Sequence, residues 1–187
     1  MGSAGGTRTF LRPLAAALVV ALLAGVGCGG AAEAPTGENI DAADDGNGDG
    51  ERERVPDVRF RYFDGTEGSP ADFAGTPVVI NFWASWCPPC ITEMPAFEAV
   101  HRELSPQVAF LGINVGDEPG SARELAERTG VTYPLAEDPD SGIFQAFGGF
   151  GMPTTVLVDP EGMIVHMISS RLRAQDLRAL IAEHLGI

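Results

Sequence analysis

The chain has 187 residues with 24 Gly, 14 Pro and 3 Cys, a length typical of one domain of ordinary size. Its 26 acidic residues outnumber its 12 basic residues, all of them Arg, and the net charge at pH 7 is −14. This balance excludes a nucleic-acid-binding protein, which needs a positive surface to hold phosphates. Three cysteines are too few for a disulfide-stabilised miniature domain or a four-cysteine zinc site, so any cysteine chemistry must come from one pair and one further residue.

The first 27 residues have the pattern of an export signal. Arg8 and Arg12 precede an apolar run at 13–27, which ends in small residues before Cys28. The run is shorter than the ~20 residues that span a bilayer, so we predict a cleaved signal peptide over 1–27. Residues 23–28 resemble a bacterial lipoprotein signal, which implies that Cys28 is lipidated and holds the protein at a membrane surface. The alternatives are a soluble exported protein and an uncleaved anchor, and in all three cases the domain works outside the cytoplasm.

Residues 28–54 form an acidic segment that is rich in Gly and Ala and almost free of large apolar side chains. Such a segment cannot bury enough apolar surface to fold, so we predict a disordered linker between the membrane surface and the domain. Within it, Asp45, Asn47 and Asp49 alternate with glycines as the ligands of a calcium loop do. Pro56 stands at the twelfth position, where that pattern has Glu, and no amphipathic helices flank the loop. A plain linker is therefore the preferred interpretation.

Residues 55–187 form the predicted folded domain, in which strands and helices alternate. The run at 78–83 is short, apolar and bounded by Pro77, as expected for a strand covered on both faces. The following helix carries an apolar stripe, and Pro95 is expected to kink it. The predicted elements are strands at 58–63, 78–83, 108–115, 154–158 and 163–168, a short helical turn at 69–75, and helices at 89–104, 121–129, 142–147 and 174–185. A βαβ unit followed by an antiparallel hairpin and a last helix predicts an α/β fold with a mixed sheet flanked by helices.

Trp86-Cys87-Pro88-Pro89-Cys90 follows a predicted central strand and opens a predicted helix. Backbone N–H groups and the helix dipole favour an anion there, so the pKa of the Cys87 thiol should be lowered. Both prolines are tolerated because the N–H groups of the first turn have no helical partner. Cys90 lies one turn inside the helix and is more shielded. This asymmetry predicts that Cys87 attacks a partner disulfide and Cys90 resolves the mixed disulfide, or that the same steps run backwards as oxidation.

Three segments carry a resemblance to a known family. Residues 82–90 (FWASWCPPC), 93–95 (EMP) and 151–155 (GMPTT) look like those of the extracytoplasmic thioredoxin-like proteins of the TlpA and ResA type, within the AhpC/TSA-Redoxin superfamily. The resemblance spans roughly residues 56 to 187. It implies a thioredoxin-like fold, with an inserted segment at 115–150, that transfers electrons to protein disulfides outside the cytoplasm, often during cytochrome c maturation. It also implies a membrane electron donor and no cofactor beyond the Cys87–Cys90 disulfide.

The same resemblance assigns the partner-binding surface. It implies that Pro153 is cis and lies opposite the Cys pair, and that the backbone of Met152 offers hydrogen bonds to an extended segment of the partner. Trp86 either shapes this surface or is a plain packing aromatic. The residues predicted to bind substrate are Trp86, Pro88, Pro89, Met152, Pro153 and Thr154.

Glu93 is the predicted proton acceptor. It lies three residues after Cys90 on the same helix face and beside an apolar strand, so its carboxyl should be partly buried with a raised pKa. A carboxyl of this kind can take the proton from Cys90, and the resemblance implies the same role. The alternative is a solvated acid in the first helical turn.

Other readings of the Cys pair remain open at this stage. A structural disulfide is one, although so short a loop stabilises little. A thiol peroxidase would carry Pro-x-x-x-Thr/Ser-x-x-Cys, but residues 79–86 contain no Pro, and Trp83 occupies the Pro position for Cys90. Copper binding by the two thiolates is a third possibility, but the sequence shows no matching third ligand for the metal. No metal role is predicted for the three histidines, which are His101, His166 and His184.

Overall fold

A computed structural model describes residues 52–187 of the chain. The predicted signal peptide, Cys28, the calcium-like loop and nearly all of the acidic linker lie outside the described residues. Within residues 52–187, none of the helices is both long and apolar enough to cross a membrane.

The described residues form seven strands and four α-helices. The strands are β1 (Phe60–Tyr62), β2 (Glu67–Gly68), β3 (Val78–Trp83), β4 (Ala109–Val115), β5 (Leu135–Asp138), β6 (Thr154–Val158) and β7 (Ile164–Ile168). The helices are α1 (Pro88–Leu104), α2 (Pro119–Thr129), α3 (Gly142–Ala146) and α4 (Ala174–Leu185), and a short 3-10 helix covers Pro70–Phe73.

All seven strands belong to one mixed sheet in the order β2-β1-β5-β4-β3-β6-β7. β3 is parallel to β4 and antiparallel to β6, and β4 is parallel to β5. Trp83 pairs with Asn114 of β4, and Phe82 pairs with Thr154 at the start of β6. The end of β3, the end of β4 and the beginning of β6 therefore meet at one edge of the sheet.

Side chains of β3 alternate between two apolar cores, one on each face of the sheet. Val79 and Trp83 face the core that α1, α2 and α4 cover, whereas Ile80 and Phe82 face the core that contains α3. All six residues of β3 are buried. A strand covered on both faces explains why its sequence is continuously apolar apart from Asn81.

The structure agrees with most of the predicted elements and adds two strands. The four predicted α-helices are present, and α1 begins one residue earlier than expected and continues past Pro95. The first strand is shorter than the predicted 58–63. The segment 115–150, predicted as an insertion, supplies α2, β5 and α3. β5, which the sequence analysis missed, lies between β4 and β1, so the insertion is an integral part of the sheet.

Candidate active site

Cys87 is the N-cap residue of α1, four residues after the end of β3. The Cys87 sulfur accepts a hydrogen bond of 3.3 Å from the backbone N–H of Cys90. Pro88 and Pro89 occupy the first helical positions, where they leave no helical hydrogen bond unmade, and both are exposed. The loop from β3 to α1 thus holds the Cys87 sulfur against the positive end of a 17-residue helix.

Cys87 and Cys90 are joined in a disulfide with 5.3 Å between their Cα atoms. Cys87 is 4% exposed and Cys90 is 0% exposed, so of the two residues only Cys87 reaches the protein surface. The predicted asymmetry between an accessible and a shielded cysteine agrees with these values.

Glu93 lies one turn beyond Cys90 and is buried, with 1% of its surface exposed. Its Oε1 accepts a hydrogen bond of 2.8 Å from the Asn81 side chain, and its Oε2 accepts one of 3.0 Å from the backbone N–H of Leu172. Burial raises the pKa of Glu93 to about 7, although both hydrogen bonds and the charge of Arg171 oppose the rise. Of the two interpretations of Glu93, the structure contradicts the solvated acid and agrees with the buried carboxyl.

The amide of Asn81 is the second polar group behind the Cys pair. Its Oδ1 atom is buried without a hydrogen-bond partner among the described residues, as is Oγ1 of Thr155, which pairs with Asn81 across β3 and β6. Rotating the Asn81 amide by 180° would turn Oδ1 toward Glu93 in place of the NH₂ group. Asn81 can therefore donate to an ionised Glu93 and accept from a protonated one.

The Met152–Pro153 peptide bond is cis, as the family resemblance implies. Because β6 begins at Thr154 opposite Phe82, this bond lies at the same sheet edge as Cys87. Pro153 and Thr154 are buried, and the Thr154 hydroxyl donates to the Gly151 carbonyl and contacts the Ser169 hydroxyl at 2.7 Å. Met152 is half-buried. Substrate binding by these residues stays a prediction. The Thr154 hydroxyl already has two hydrogen-bond partners within the protein.

Comparison with known proteins places this arrangement in a family. The AhpC/TSA family profile matches residues 52–167. The chain belongs to the AhpC/TSA family. It is 32% identical over 125 residues to the thiol-disulfide oxidoreductase ResA of Geobacillus thermodenitrificans, covering 66% of this chain and 72% of that protein.

Two solved structures show the same fold as this AhpC/TSA protein. A DsbF homologue from Corynebacterium diphtheriae is 31% identical, with a TM-score of 0.66 over 72% of this chain and 88% of that one. A secreted thiol-disulfide isomerase from Corynebacterium glutamicum is 26% identical, with a TM-score of 0.65 over 74% and 87% of the two chains. The thioredoxin-like fold and the enzyme class predicted from the Cys pair, a thiol-disulfide oxidoreductase, are thereby confirmed.

Trp86 of this AhpC/TSA protein is 60% exposed, so it is not a core packing residue. Its indole N–H donates a hydrogen bond of 3.2 Å to the Gly116 carbonyl at the end of β4. The side chain is thus held at one side of the Cys pair with its ring open to solvent. A surface role agrees with this placement better than the packing role that the sequence left open.

Asp117 is a residue that the sequence analysis missed. Its carboxylate accepts hydrogen bonds from the Ser85 backbone N–H at 2.6 Å, the Ser85 hydroxyl at 2.7 Å and the Asn114 amide at 3.0 Å. Burial works to raise the pKa of Asp117, but these hydrogen bonds outweigh it and hold the pKa below its usual value. Asp117 therefore fastens the segment before Cys87 to the end of β4. The sequence feature that could have identified Asp117 is its position just after a strand parallel to β3, because the ends of such strands share one edge of the sheet.

Two of the three histidines of this AhpC/TSA protein form a stacked pair, and the third packs against other aromatic rings. His101 contacts the rings of Phe110 and Tyr133 edge-on, and His166 stacks on His184 with 4.3 Å between ring centres. Burial, and then the charge of His184, lower the pKa of His166. Within residues 52–187 no three His, Cys, Asp or Glu side chains converge in a way that could hold a metal ion.

Proposed function

We propose that this protein reduces disulfides of protein substrates outside the cytoplasm by thiol-disulfide exchange at Cys87, with Cys90 as the resolving thiol and Glu93 as its base. The observation that carries the proposal is the placement of Cys87 at the N-cap of α1, with its sulfur bonded to the N–H of Cys90 and a buried carboxyl of raised pKa behind Cys90.

The reaction begins with the reduced pair. The Cys87 thiolate attacks one sulfur of the partner disulfide, which forms a mixed disulfide and releases the other partner sulfur as a thiolate. The Cys90 thiolate then attacks the Cys87 sulfur, the Cys87–Cys90 disulfide closes, and the second partner sulfur leaves. Two electrons pass from the protein to the substrate, and a membrane electron donor must return them.

Cys87 needs no dedicated base because the helix terminus and the N–H of Cys90 stabilise its thiolate. Cys90 is fully buried and must lose its proton before it can attack. With a pKa of about 7, the Glu93 carboxyl is partly ionised near neutral pH and can accept that proton. Asn81 serves both protonation states of Glu93 by rotating its amide.

The partner chain docks along the edge that carries the cis peptide bond. The Met152 backbone lies beside the start of β6 and offers hydrogen bonds to an extended segment, as in strand addition. Trp86, Pro88 and Pro89 border Cys87 with exposed surface. Backbone-directed binding suits varied protein substrates, among them apocytochromes c. The secreted relative from Corynebacterium glutamicum and the signal-like residues 1–27 support an extracytoplasmic site of action, at a membrane if Cys28 carries a lipid.

Trapping of the mixed disulfide tests the assignment of the two cysteines. Cys90→Ser is expected to accumulate a covalent adduct with insulin or with oxidised apocytochrome c, because the adduct cannot be resolved. Cys87→Ser is expected to form none and to lose disulfide reduction. Ser121→Ala, at an exposed position of α2 away from the Cys pair, serves as the control and should retain turnover. Undiminished reduction by Cys87→Ser would refute the proposal.

The direction of electron flow is tested by the redox potential of the Cys87/Cys90 couple, measured by equilibration with glutathione or dithiothreitol. A potential below that of glutathione supports a reductase, because the reduced Cys pair then gives up electrons to disulfides of higher potential. A potential as high as that of a disulfide-forming protein would assign the reverse reaction.

A further inference from the structure

Two large apolar side chains stand out as exposed among residues 52–187. They are Trp86, which is 60% exposed, and Phe150, which is 85% exposed. Trp86 directly precedes Cys87, and Phe150 lies three residues before the cis proline Pro153. The described part of a strongly acidic chain therefore presents its two exposed large apolar groups at the sheet edge that carries the reactive sulfur.

The sheet topology places these two residues next to strands on opposite sides of β3, the strand that leads to Cys87. Trp86 is hydrogen-bonded to Gly116 at the end of β4, on one side of β3. Phe150 belongs to the loop that leads into β6, on the other side of β3. Neighbouring strands lie about 4.8 Å apart, so β4 and β6 are separated by about 10 Å, the width of one extended peptide with its side chains.

The loop around Phe150 is held in place on both sides. The N–H groups of Gly148 and Gly149 donate hydrogen bonds of 2.9 Å each to the carbonyls of Gln145 and Phe144. Gly149 packs so tightly on the Phe144 ring that a Cβ atom there would overlap it. On the other side, the Gly151 carbonyl accepts from the Thr154 hydroxyl. A fixed loop lowers the entropy lost when Phe150 contacts a partner.

We propose that Trp86 and Phe150 form an aromatic clamp that selects partner proteins with a large apolar side chain beside the cysteine under attack. This proposal rests on the proposed function, since it assigns partner preference to the same site. Isolated exposed apolar side chains are common on protein surfaces, but a pair that flanks a reactive group has the composition of a binding hot spot. Because Asp117 and the exposed Glu118 directly follow Gly116, the hydrogen-bond partner of Trp86, an apolar segment without acidic residues is the matching partner.

The test compares two cysteine peptides that differ at one residue next to the cysteine, Phe in one and Ser in the other. Each peptide is blocked as a mixed disulfide with thionitrobenzoate, and the reduced protein releases the coloured thiol. In a single turnover of the reduced protein, the wild-type chain is expected to react with the Phe peptide at the higher second-order rate constant. Phe150→Ser is expected to lower that preference about tenfold, the range of one buried aromatic contact. Phe150→Leu should retain most of it. The rate with 2-hydroxyethyl disulfide, which is too small to span the clamp, should not change.

The outcomes separate this inference from the proposed function. Reaction with 2-hydroxyethyl disulfide together with equal rates for the two peptides, or a preference that survives Phe150→Ser, would overturn the clamp and leave thiol-disulfide exchange intact. Failure of the reduced, folded protein to react with any of the three disulfides would overturn the proposed function itself. Sedimentation velocity gives a further outcome. If Phe150→Ser dissociates a dimer without altering the peptide preference, a second copy of the chain covers Phe150 and the clamp is refuted.

Discussion

Glu93 Oε2 and the backbone N–H of Leu172 are joined by a hydrogen bond of 3.0 Å across 79 residues of sequence. The contact links α1, which carries the Cys pair, to the segment that enters α4. Because the same carboxyl has a pKa of about 7, its protonation is coupled to the packing of two helices as well as to the chemistry of Cys90. The titration of Glu93 should therefore change the unfolding free energy of the protein with pH.

Glu93→Gln is expected to change how stability depends on pH. The pKa of Glu93 rises from 4.5 to about 7 on folding, so between these pH values the folded state binds more protons than the unfolded state. The unfolding free energy of the unchanged protein therefore falls as pH rises through this window, by about 2 to 3 kcal/mol. Gln does not titrate, and its NH₂ group can donate to Asn81 Oδ1 after the amide rotates. Chemical denaturation of both proteins at pH 4.5, 6 and 8 measures the difference.

Glu98→Gln, on the same helix, is the matched control for this experiment. Burial works to raise the pKa of Glu98, but hydrogen bonds from Thr132 and Arg102 outweigh it and hold the pKa below its ordinary value. Its contribution to stability is therefore already present above the ordinary pKa and is lost only as pH falls through the lowered one. Between pH 6 and 8 the difference in unfolding free energy between the wild-type protein and Glu98→Gln should stay constant. An equally constant Glu93→Gln difference would show that Glu93 is ionised in the folded protein throughout.

Alkylation of the reduced protein should distinguish the two cysteines. Cys87 lies at the N-cap with 4% of its surface exposed, whereas Cys90 is completely buried. Because thiolates react and thiols do not, iodoacetamide at pH 7 should label Cys87 at least about tenfold faster than Cys90. As pH is lowered, the labelling rate of Cys87 should stay high through the ordinary thiol pKa and decline only at a lower pH, because the Cys87 pKa is expected to be lowered. Peptide mapping by mass spectrometry measures both, and equal labelling of the two sulfurs would contradict the proposed order of attack.

Asp117→Ala should weaken the support of the Cys87 loop. The change removes the acceptor for both Ser85 hydrogen bonds and for the Asn114 amide, so we expect a loss of about 2 kcal/mol in unfolding free energy. The rate of Cys87 alkylation should change several-fold because the N-cap geometry loosens. Ser85→Ala removes only the hydroxyl and should cost about 1 kcal/mol. If Asp117→Ala destabilises the protein but leaves Cys87 reactivity unaltered, Asp117 supports the fold without positioning the thiol.

The residues around the Cys pair could be predicted from sequence because their chemistry is local. A cysteine pair between an apolar strand and a helix start needs only neighbouring residues to explain it, and the structure places both cysteines there. β5 was missed because its four residues include an acidic pair and show no clear alternation. Asp117 and Phe150 were missed for another reason. Their roles depend on which strands adjoin β3. The position of Asp117 just after a predicted strand made it a candidate, but only the strand order shows that this strand end lies beside the Cys87 loop.

Gly112→Ala tests whether the packing of β4 against β3 affects the Cys pair. Gly112 lies in β4, and a Cβ atom there would come within 2.5 Å of the Leu135 side chain and 3.1 Å of the Trp83 indole nitrogen. We expect a loss of about 2 kcal/mol, because the buried side chains of Leu135, Trp83 and Tyr133 must shift to admit one methyl group. Gly120→Ala is the control, since nothing lies within 4 Å of its Cβ position and Ala favours a helix over Gly by about 1 kcal/mol. Thermal unfolding of both variants measures the contrast. Trp83 ends the strand that leads to Cys87. Slower thiol-disulfide exchange by Gly112→Ala, measured at temperatures where this variant stays folded, would therefore show that the strain reaches Cys87.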